Sequence, residues 1–374
     1  IRTKPVVLYV GLRIESMNAT VSEPLSWKQI LNQLIKNIDL TVDQIDWAMN
    51  QIMTGATPEP VLASFLTALH MKGETPAELG ALARGMLAKA EKVNIAPDAV
   101  DIVGTGGDQQ NTVNISTMAA LVIAGTGATV VKHGNRASTS KSGSADVLEA
   151  LGIRLDMPIE SVAECAQKTG ITFLFAMTFH PAMRFVGPTR RALGIPTAFN
   201  YLGPMTNPAR VRSSAIGVAH QEMAPKIAQV FADRGDHAII FRGNDGLDEL
   251  SIATSSQLWE ASAGELKEYT FTPSDYGVRH APLEALRGGD AQYNATIFRA
   301  ILAGEGGNGG ELGPIRDAVL INAAAGLTAY RDSDEGAFDE RYAQALADAR
   351  ESIDSGAADS VLNRWIDFSR AAAE

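Results

Sequence analysis

Cysteine is almost missing from this chain: Cys165 is the single one among 374 residues. One thiol forms no internal disulfide and no CxxC metal cluster, and this usage suits a reducing compartment. Long apolar runs are missing too. The longest mostly apolar stretch, 118–131, is interrupted by Gly125, Thr126, Gly127 and Thr129, whereas a membrane helix needs about 20 apolar residues. Positive charge is in deficit: 32 Lys and Arg stand against 43 Asp and Glu, a net charge of −11. Such a chain repels phosphate backbones at long range, so a nucleic-acid polymer is disfavoured and any anionic ligand must be held by local arrangement. No HExxH or GxSxG spacing occurs, which removes the common zinc-peptidase and serine-hydrolase signatures. These absences together predict a cytoplasmic protein with no membrane and no nucleic acid among its partners.

What is present reads as an ordinary globular composition, 45% hydrophobic and 20% charged, with length for roughly two to three structural units. Segment 1–16 begins at Ile1 and carries a short apolar stretch, Pro5 to Val10, too weak for a secretory signal. It is read as a non-native or disordered extension, with Met17 the natural start.

Residues 27–93 carry helical periodicity only. Trp27, Ile30, Leu31, Leu34 and Ile35 recur at spacings of three and four. Thr41 to Gln44 reads as a capping box, and Thr57-Pro58 and Thr75-Pro76 each place Pro first in a helix behind a Thr cap. Four short helices are expected. From 93 onward short β-rich runs (99–103, 128–132, 172–176, 213–218, 238–241) alternate with helical stretches (115–124, 145–151, 159–168, 225–234), the mark of an α/β layer fold. The helical, Pro- and Gly-punctuated stretch at about 180–206 breaks this alternation and is expected to return to the N-terminal helices. Segment 314–370 reads as helices.

Four motifs carry chemistry. Gly104-Thr105-Gly106-Gly107-Asp108 follows a predicted strand and precedes a helix near Ile115. Its glycines permit positive φ, and successive amides form an anion nest to which the helix N-terminus adds. Thr112, Asn114, Ser116 and Thr117 supply short donors beside it. The glycine spacing is neither that of a dinucleotide fold nor of a P-loop. Lys132-His133-Gly134-Asn135-Arg136, running on to Lys141 and Asp146, gathers three fixed cations, a histidine and several hydroxyls, as a polyanion requires. Asp248-Glu249 in a glycine-rich strand end suits Mg²⁺, which takes oxygen ligands alongside substrate phosphates. Arg190 offers a bidentate partner for a carboxylate. The histidines His70, His180, His220, His237 and His280 show no ligand spacing. Cys165, in an apolar helical pattern, reads as core rather than as a nucleophile.

In this order, GTGGD at 104–108, NTVNIST at 111–117, KHGNRASTSKSGSAD at 132–146, RRALGIPTAFNYLGPMTNPAR at 190–210 and GLDEL at 246–250 resemble the anthranilate phosphoribosyltransferase family. The likeness covers about residues 27–370. It implies an α/β fold with a small helical N-terminal domain joined by a hinge to a larger α/β domain, whose central sheet is flanked by helices. The helical domain would span 17–92, completed by about 180–206, and the donor-binding domain 93–374. It also implies a homodimer, Mg²⁺, and transfer of phosphoribosyl from phosphoribosyl pyrophosphate to the amine of anthranilate in tryptophan biosynthesis.

By matching positions, Gly104, Gly107, Asp108, Thr112, Asn114, Ile115, Ser116, Thr117, Lys132, His133, Gly134, Asn135, Arg136, Ala137, Ser138, Thr139, Ser140 and Ser144 would bind the donor. Gly104, Asn135 and Arg190 would meet anthranilate. Ser116, Asp248 and Glu249 would meet the metal. The candidate catalytic residues are Lys132, for the growing pyrophosphate charge, and His133, as proton acceptor or substrate contact. Family members often carry a small residue at 109–110, where this chain has Gln109-Gln110. Two rivals of the same fold stand beside this reading, a pyrimidine nucleoside phosphorylase, whose members differ at KHGNR and NPA, and a nucleic-acid-binding paralogue, which would need a basic stripe; a third reading is a phosphoribosyltransferase for another aromatic amine or acid.

Overall fold

The computed structural model describes residues 24–137, 141–331 and 336–373. The expected extension 1–16 and the site residues Ser138, Thr139 and Ser140 lie outside them. Helices α1 (Trp27–Ile35), α2 (Val42–Met53), α3 (Glu59–Lys72) and α4 (Pro76–Leu87) open the chain, as expected. The capping boxes at Thr41/Gln44 and Thr75/Glu78 both form. The third cap does not. Pro58 itself is the cap residue and α3 starts at Glu59. A Thr57 cap would draw on an amide two or three residues into the helix, and there Pro60 has no N–H to give.

The α/β part runs β1 (Val100–Gly104), α5 (Ile115–Gly125), β2 (Val130–Gly134), α6 (Ser144–Leu151), α7 (Ile159–Thr169), β3 (Ile171–Phe175), α8 (Ala176–Phe179), α9 (Gly187–Leu193), β4 (Ser213–Gly217), α10 (Ala224–Arg234) and β5 (His237–Gly243). A hairpin then follows, β6 (Ser256–Ser262) and β7 (Glu265–Phe271), before α11 (Ala291–Leu302), α12 (Gly313–Arg331), α13 (Phe338–Asp354) and α14 (Ala357–Ala373). The sheet order is β3-β2-β1-β4-β5-β6-β7, parallel from β3 to β5 and antiparallel beyond. The sequence did not announce β6 and β7. Their turn is Ala263-Gly264, with Ala263 left-handed at φ +50°, in place of the Asn-Gly or Asp-Gly that signals a two-residue hairpin.

Alternating strand residues face opposite layers. Ala215, Ile239 and Phe241 join a core shared with α5 and α12–α14, whereas Ile216 and Ile240 join one shared with α10 and the N-terminal helices. That second core also takes in Val186, Phe199, Tyr201 and Leu202 of the 180–206 stretch.

Candidate active site

Strand order reverses between β1 and β4, and a crevice opens beyond the carboxyl ends of strands at such a switch point. Both strands end there in paired glycines, Gly104 opposite Gly217. Neither tolerates a side chain. A Cβ on Gly104 would sit 2.3 Å from Asp248 Oδ2, and one on Gly217 1.6 Å from the Asp248 carbonyl oxygen. The acidic pair is thus drawn onto the strand ends, far from Gly104 in sequence.

The loop after β1 has the nest geometry the glycines predict. Gly106, Gly107, Gln109 and Asn111 all have positive φ. The Gly106 amide donates to Asp248 Oδ2 at 2.7 Å, and the Thr105 amide to the Gly217 carbonyl at 2.9 Å. Gln109 at φ +60° explains why a small residue suits that position. A strap unforeseen from sequence holds the loop down: Val113 N–H donates to Leu286 O and Gly288 N–H to Asn111 O. Thr112 forms a bridge with Arg287. Asn114, one of the expected donor contacts, also ties two loops together. Its Nδ2 donates to Ser142 O at 3.0 Å, and its Oδ1 accepts from buried Asn294 at 2.9 Å. The nest loop and the Lys132 loop are thereby joined, and the starts of α5 and α6 meet where Thr117 Oγ1 donates to Ser144 Oγ.

Lys132 does not project into the crevice. It is 1% exposed, and its Nζ donates to Ile102 O and, at 3.4 Å, to Ser116 Oγ. Burial pulls its pKa down, while Asp101, Glu249 and Asp248 oppose this. It is the cation beneath a carboxylate floor, so its charge acts from below and through Ser116. Asp248, partly open to the crevice, is pushed up to about 7 by burial and then by the charge of Asp108. Glu249 is raised well above its usual range by burial and by Asp248. Carboxylates that resist ionising together are the chemistry a divalent cation relieves. Among the described residues no group of three ready-made ligands exists.

Beside this floor, Asp101 accepts from the His133 amide at 3.1 Å and from Asn207 Nδ2 at 2.9 Å, and burial lifts its carboxyl to about 6. Sequence reading passed over Asp101; its signal was a lone carboxylate inside an apolar strand. Past Gly134, Asn135 and Arg136 are exposed. Asn135 Oδ1 accepts from the Arg136 amide, and its carbonyl accepts from Ala145 N–H. Arg136 is turned outward, paired with Glu149 at 2.5 Å and Asp146 at 3.1 Å. Asp146 also accepts from the Ala137 and Gly143 amides, closing the neck of the loop.

His133 and His180 pack 5.1 Å apart, both buried. His133 Nδ1 bonds the Gly203 carbonyl and His180 Nε2 the Thr206 carbonyl, which assigns their protons and leaves His133 Nε2 and His180 Nδ1 as unpartnered acceptors. Burial holds both neutral, at about 3 for His133 and about 4 for His180. Folded-state pKa values below the unfolded value mean the unfolded chain takes up protons first, so stability falls as pH drops from 6.5 through 4. His180→Gln should remove part of this acid sensitivity, about 2–3 kcal/mol between pH 7 and 4.5. Urea midpoints at the two pH values measure it, and an unchanged difference would contradict the assignment.

Arg190, on α9, is half-buried. Its Nη2 donates to Asn200 at 3.1 Å, burial lowers its pKa, and it has no ion pair among the described residues. A desolvated guanidinium with one neutral partner is suited to a carboxylate.

Two family descriptions match: "Glycosyl transferase family, helical bundle domain" over 28–90 and "Glycosyl transferase family, a/b domain" over 96–359. The anthranilate phosphoribosyltransferase of Arthrobacter sp. (strain FB24) is 56% identical over 345 residues, 92% of this chain and 96% of its own length. That of Streptomyces griseus is 50% identical over 346 residues, 92% and 96% of the two lengths. Among solved structures, the Thermus thermophilus enzyme of the same name superposes with a TM-score of 0.83 at 38% identity, covering 91% of this chain and 99% of that one. The Saccharomyces cerevisiae enzyme in complex with PRPP and Mg gives 0.82 at 29% identity, covering 92% and 98%.

Proposed function

The chain belongs to the anthranilate phosphoribosyltransferases, and from that membership we propose how its residues share the transfer of phosphoribosyl from phosphoribosyl pyrophosphate to the anthranilate amine. The observation that carries the reading is the Gly106–Asp248 bond, which fuses the anion nest and the acidic pair into one crevice floor. The two rival readings draw no support from relatives as near as 56% identity.

The nest amides, the α5 N-terminus and the Ser144 end of α6 would hold the donor, with Asn135 at the rim. Ser116, Asp248 and Glu249 would hold Mg²⁺, which when bound neutralises pyrophosphate charge as it grows. The ribosyl C1–oxygen bond would break with its electron pair leaving on pyrophosphate, the amine nitrogen would supply the pair for the new C–N bond, and the proton that nitrogen then sheds would pass to the departing pyrophosphate or to solvent. An aryl amine is neutral and nucleophilic at pH 7, so a strong base is unnecessary. His133, neutral with a free Nε2 lone pair, serves as a hydrogen-bond acceptor for the amine. Rate enhancement then rests on positioning and charge stabilisation. Residues 24–92 and 180–206 would carry the acceptor side through Arg190. No described helix is long and apolar enough to cross a membrane, and a cytoplasmic location is proposed with the pathway.

Loss of anthranilate fluorescence that requires protein, phosphoribosyl pyrophosphate and Mg²⁺ together tests the reading; loss without the donor would refute it. Asp248→Asn with Glu249→Gln should shift the Mg²⁺ titration of that signal at least tenfold, and an unmoved titration removes the pair from the metal site. Arg190→Ala should raise KM for anthranilate about 10- to 100-fold, the worth of one charge-assisted contact, while KM for the donor stays put. Equal effects on both substrates would count against it. A homodimer is proposed as well: Ile35 and Met71, 76% and 82% exposed, flank the Lys72–Asp39 link between α3 and the α1–α2 loop. Sedimentation equilibrium separates dimer from monomer.

A further inference from the structure

β1 and β2 are neighbours in the sheet, yet they pair at one position only, Val100 opposite Val130. On their other sides both strands run in full register, β1 with β4 from Val100 to Gly104 and β2 with β3 from Val130 to Gly134. The Val100 amide donates to the Thr129 carbonyl at 2.9 Å. A parallel ladder carried on from that bond would next join the His133 amide to the Ile102 carbonyl. Side chains take both groups instead. The His133 amide donates to Asp101 Oδ1 at 3.1 Å, and the Ile102 carbonyl accepts from Lys132 Nζ. The Val131 carbonyl, two residues before His133 and so on the same edge of β2, accepts from Asn207 Nδ2 at 2.8 Å.

The wedge is closed on itself. Asn207 Nδ2 also donates to Asp101 Oδ2 at 2.9 Å, and Asn207 Oδ1 accepts from the Ala209 amide at 3.0 Å, which fixes the orientation of the amide group. All three side chains are buried. A buried polar group left without a partner costs about 1–3 kcal/mol, so the parted strand edges are stable only because these side chains answer them. The parting lies toward the carboxyl ends of the strands. There β1 runs into the nest loop at Gly104 and β2 into the loop of Asn135. The spacing of the two loops is therefore set by side chains rather than by a backbone ladder.

We propose that Asp101 and Asn207 are positioning residues for the phosphoribosyl donor, wedging β1 and β2 apart so that the nest amides and the Asn135 loop stand at the spacing the donor spans. This rests on the reading of the site given above. Both residues act through the loops: Asp101 through the His133 amide, and Asn207 through the Val131 carbonyl. Arg190 is bonded to Asn200, outside the wedge, so the anthranilate contact is spared.

Asp101→Asn keeps an acceptor for the His133 amide but sets its own Nδ2 against Asn207 Nδ2, donor against donor. The exchange Asp101→Asn/Asn207→Asp restores a donor and an acceptor between the two positions. Titration calorimetry of phosphoribosyl pyrophosphate with Mg²⁺, without anthranilate, reads donor binding apart from transfer. Asp101→Asn should weaken that binding at least about tenfold while KM for anthranilate moves less than about twofold, and the exchanged pair should recover most of the loss. A folded Asp101→Asn protein that binds the donor as the parent does overturns the proposal. So does equal weakening toward both substrates, or an exchanged pair that binds no better than the single variant. Should Asp101→Asn not fold, Asn207→Ser, which leaves Asp101 on the His133 amide, carries the same expectation and the same refutation. A parent protein that binds no donor overturns the reading of the site itself, a result distinct from all of these.

Discussion

Lys132→Met should destabilise the fold by about 3–5 kcal/mol near pH 8, the cost of removing one partner from a buried charge cluster. Methionine has nearly the length of lysine, so the cavity is small and the effect is electrostatic. What it leaves behind is Asp101, Glu249 and Asp248, whose charges now face one another in a desolvated floor. The pH dependence gives the signature. Asp101 already has a folded value of about 6, above its unfolded 3.8. The folded state therefore binds protons more tightly, and stability is lost as pH rises through that window. Without Lys132 the folded values climb further, so the deficit of the variant should be greatest at pH 8 and shrink toward pH 5. Chemical denaturation at both pH values measures it. A deficit of the same size at each would mean that lost packing, not charge, sets the cost.

Gly217→Ala should lower kcat/KM by at least about 100-fold, the scale of a one-ångström misplacement at a reacting centre. Its Cβ would fall 1.6 Å from the carbonyl oxygen and 2.4 Å from the carbonyl carbon of Asp248. Both are backbone atoms, so no side-chain rotation relieves the clash. The Asp248 loop must retreat, breaking the 2.7 Å bond from Gly106 and carrying Glu249 with it. Overpacking of this kind costs stability only about 1–3 kcal/mol, so the variant should fold and yet fail. Steady-state rates beside a melting curve separate the two, and an active, folded variant would disprove the close approach. The position carries no chemistry of its own; it is required because another loop needs the space.

The nest loop, the Lys132 loop and the acidic pair were legible because each is a local pattern: glycines after a strand, cations after a strand, adjacent carboxylates. Local capping was legible for the same reason at Thr41 and Thr75, and failed at Thr57, where Pro60 withholds an amide. Long-range partners were not legible. Asn294 lies 180 residues from Asn114, which it holds, and Asn207 lies 106 residues from Asp101. The hairpin β6–β7 escaped because its left-handed turn residue is an alanine. The turn of Arg136 toward Glu149, away from the ligand side of its loop, depends on which face of α6 meets the loop.

The sequence by itself determined the layer order, the crevice-forming loops and the family, because periodicity, glycine placement and motif order are properties of neighbouring residues. Only the tertiary structure decided which charges work together. Coulomb interactions depend on distance and burial, and chain separation reports neither. That is why Lys132, expected to meet the growing pyrophosphate charge, lies buried as a counter-charge beside Asp248 and Glu249.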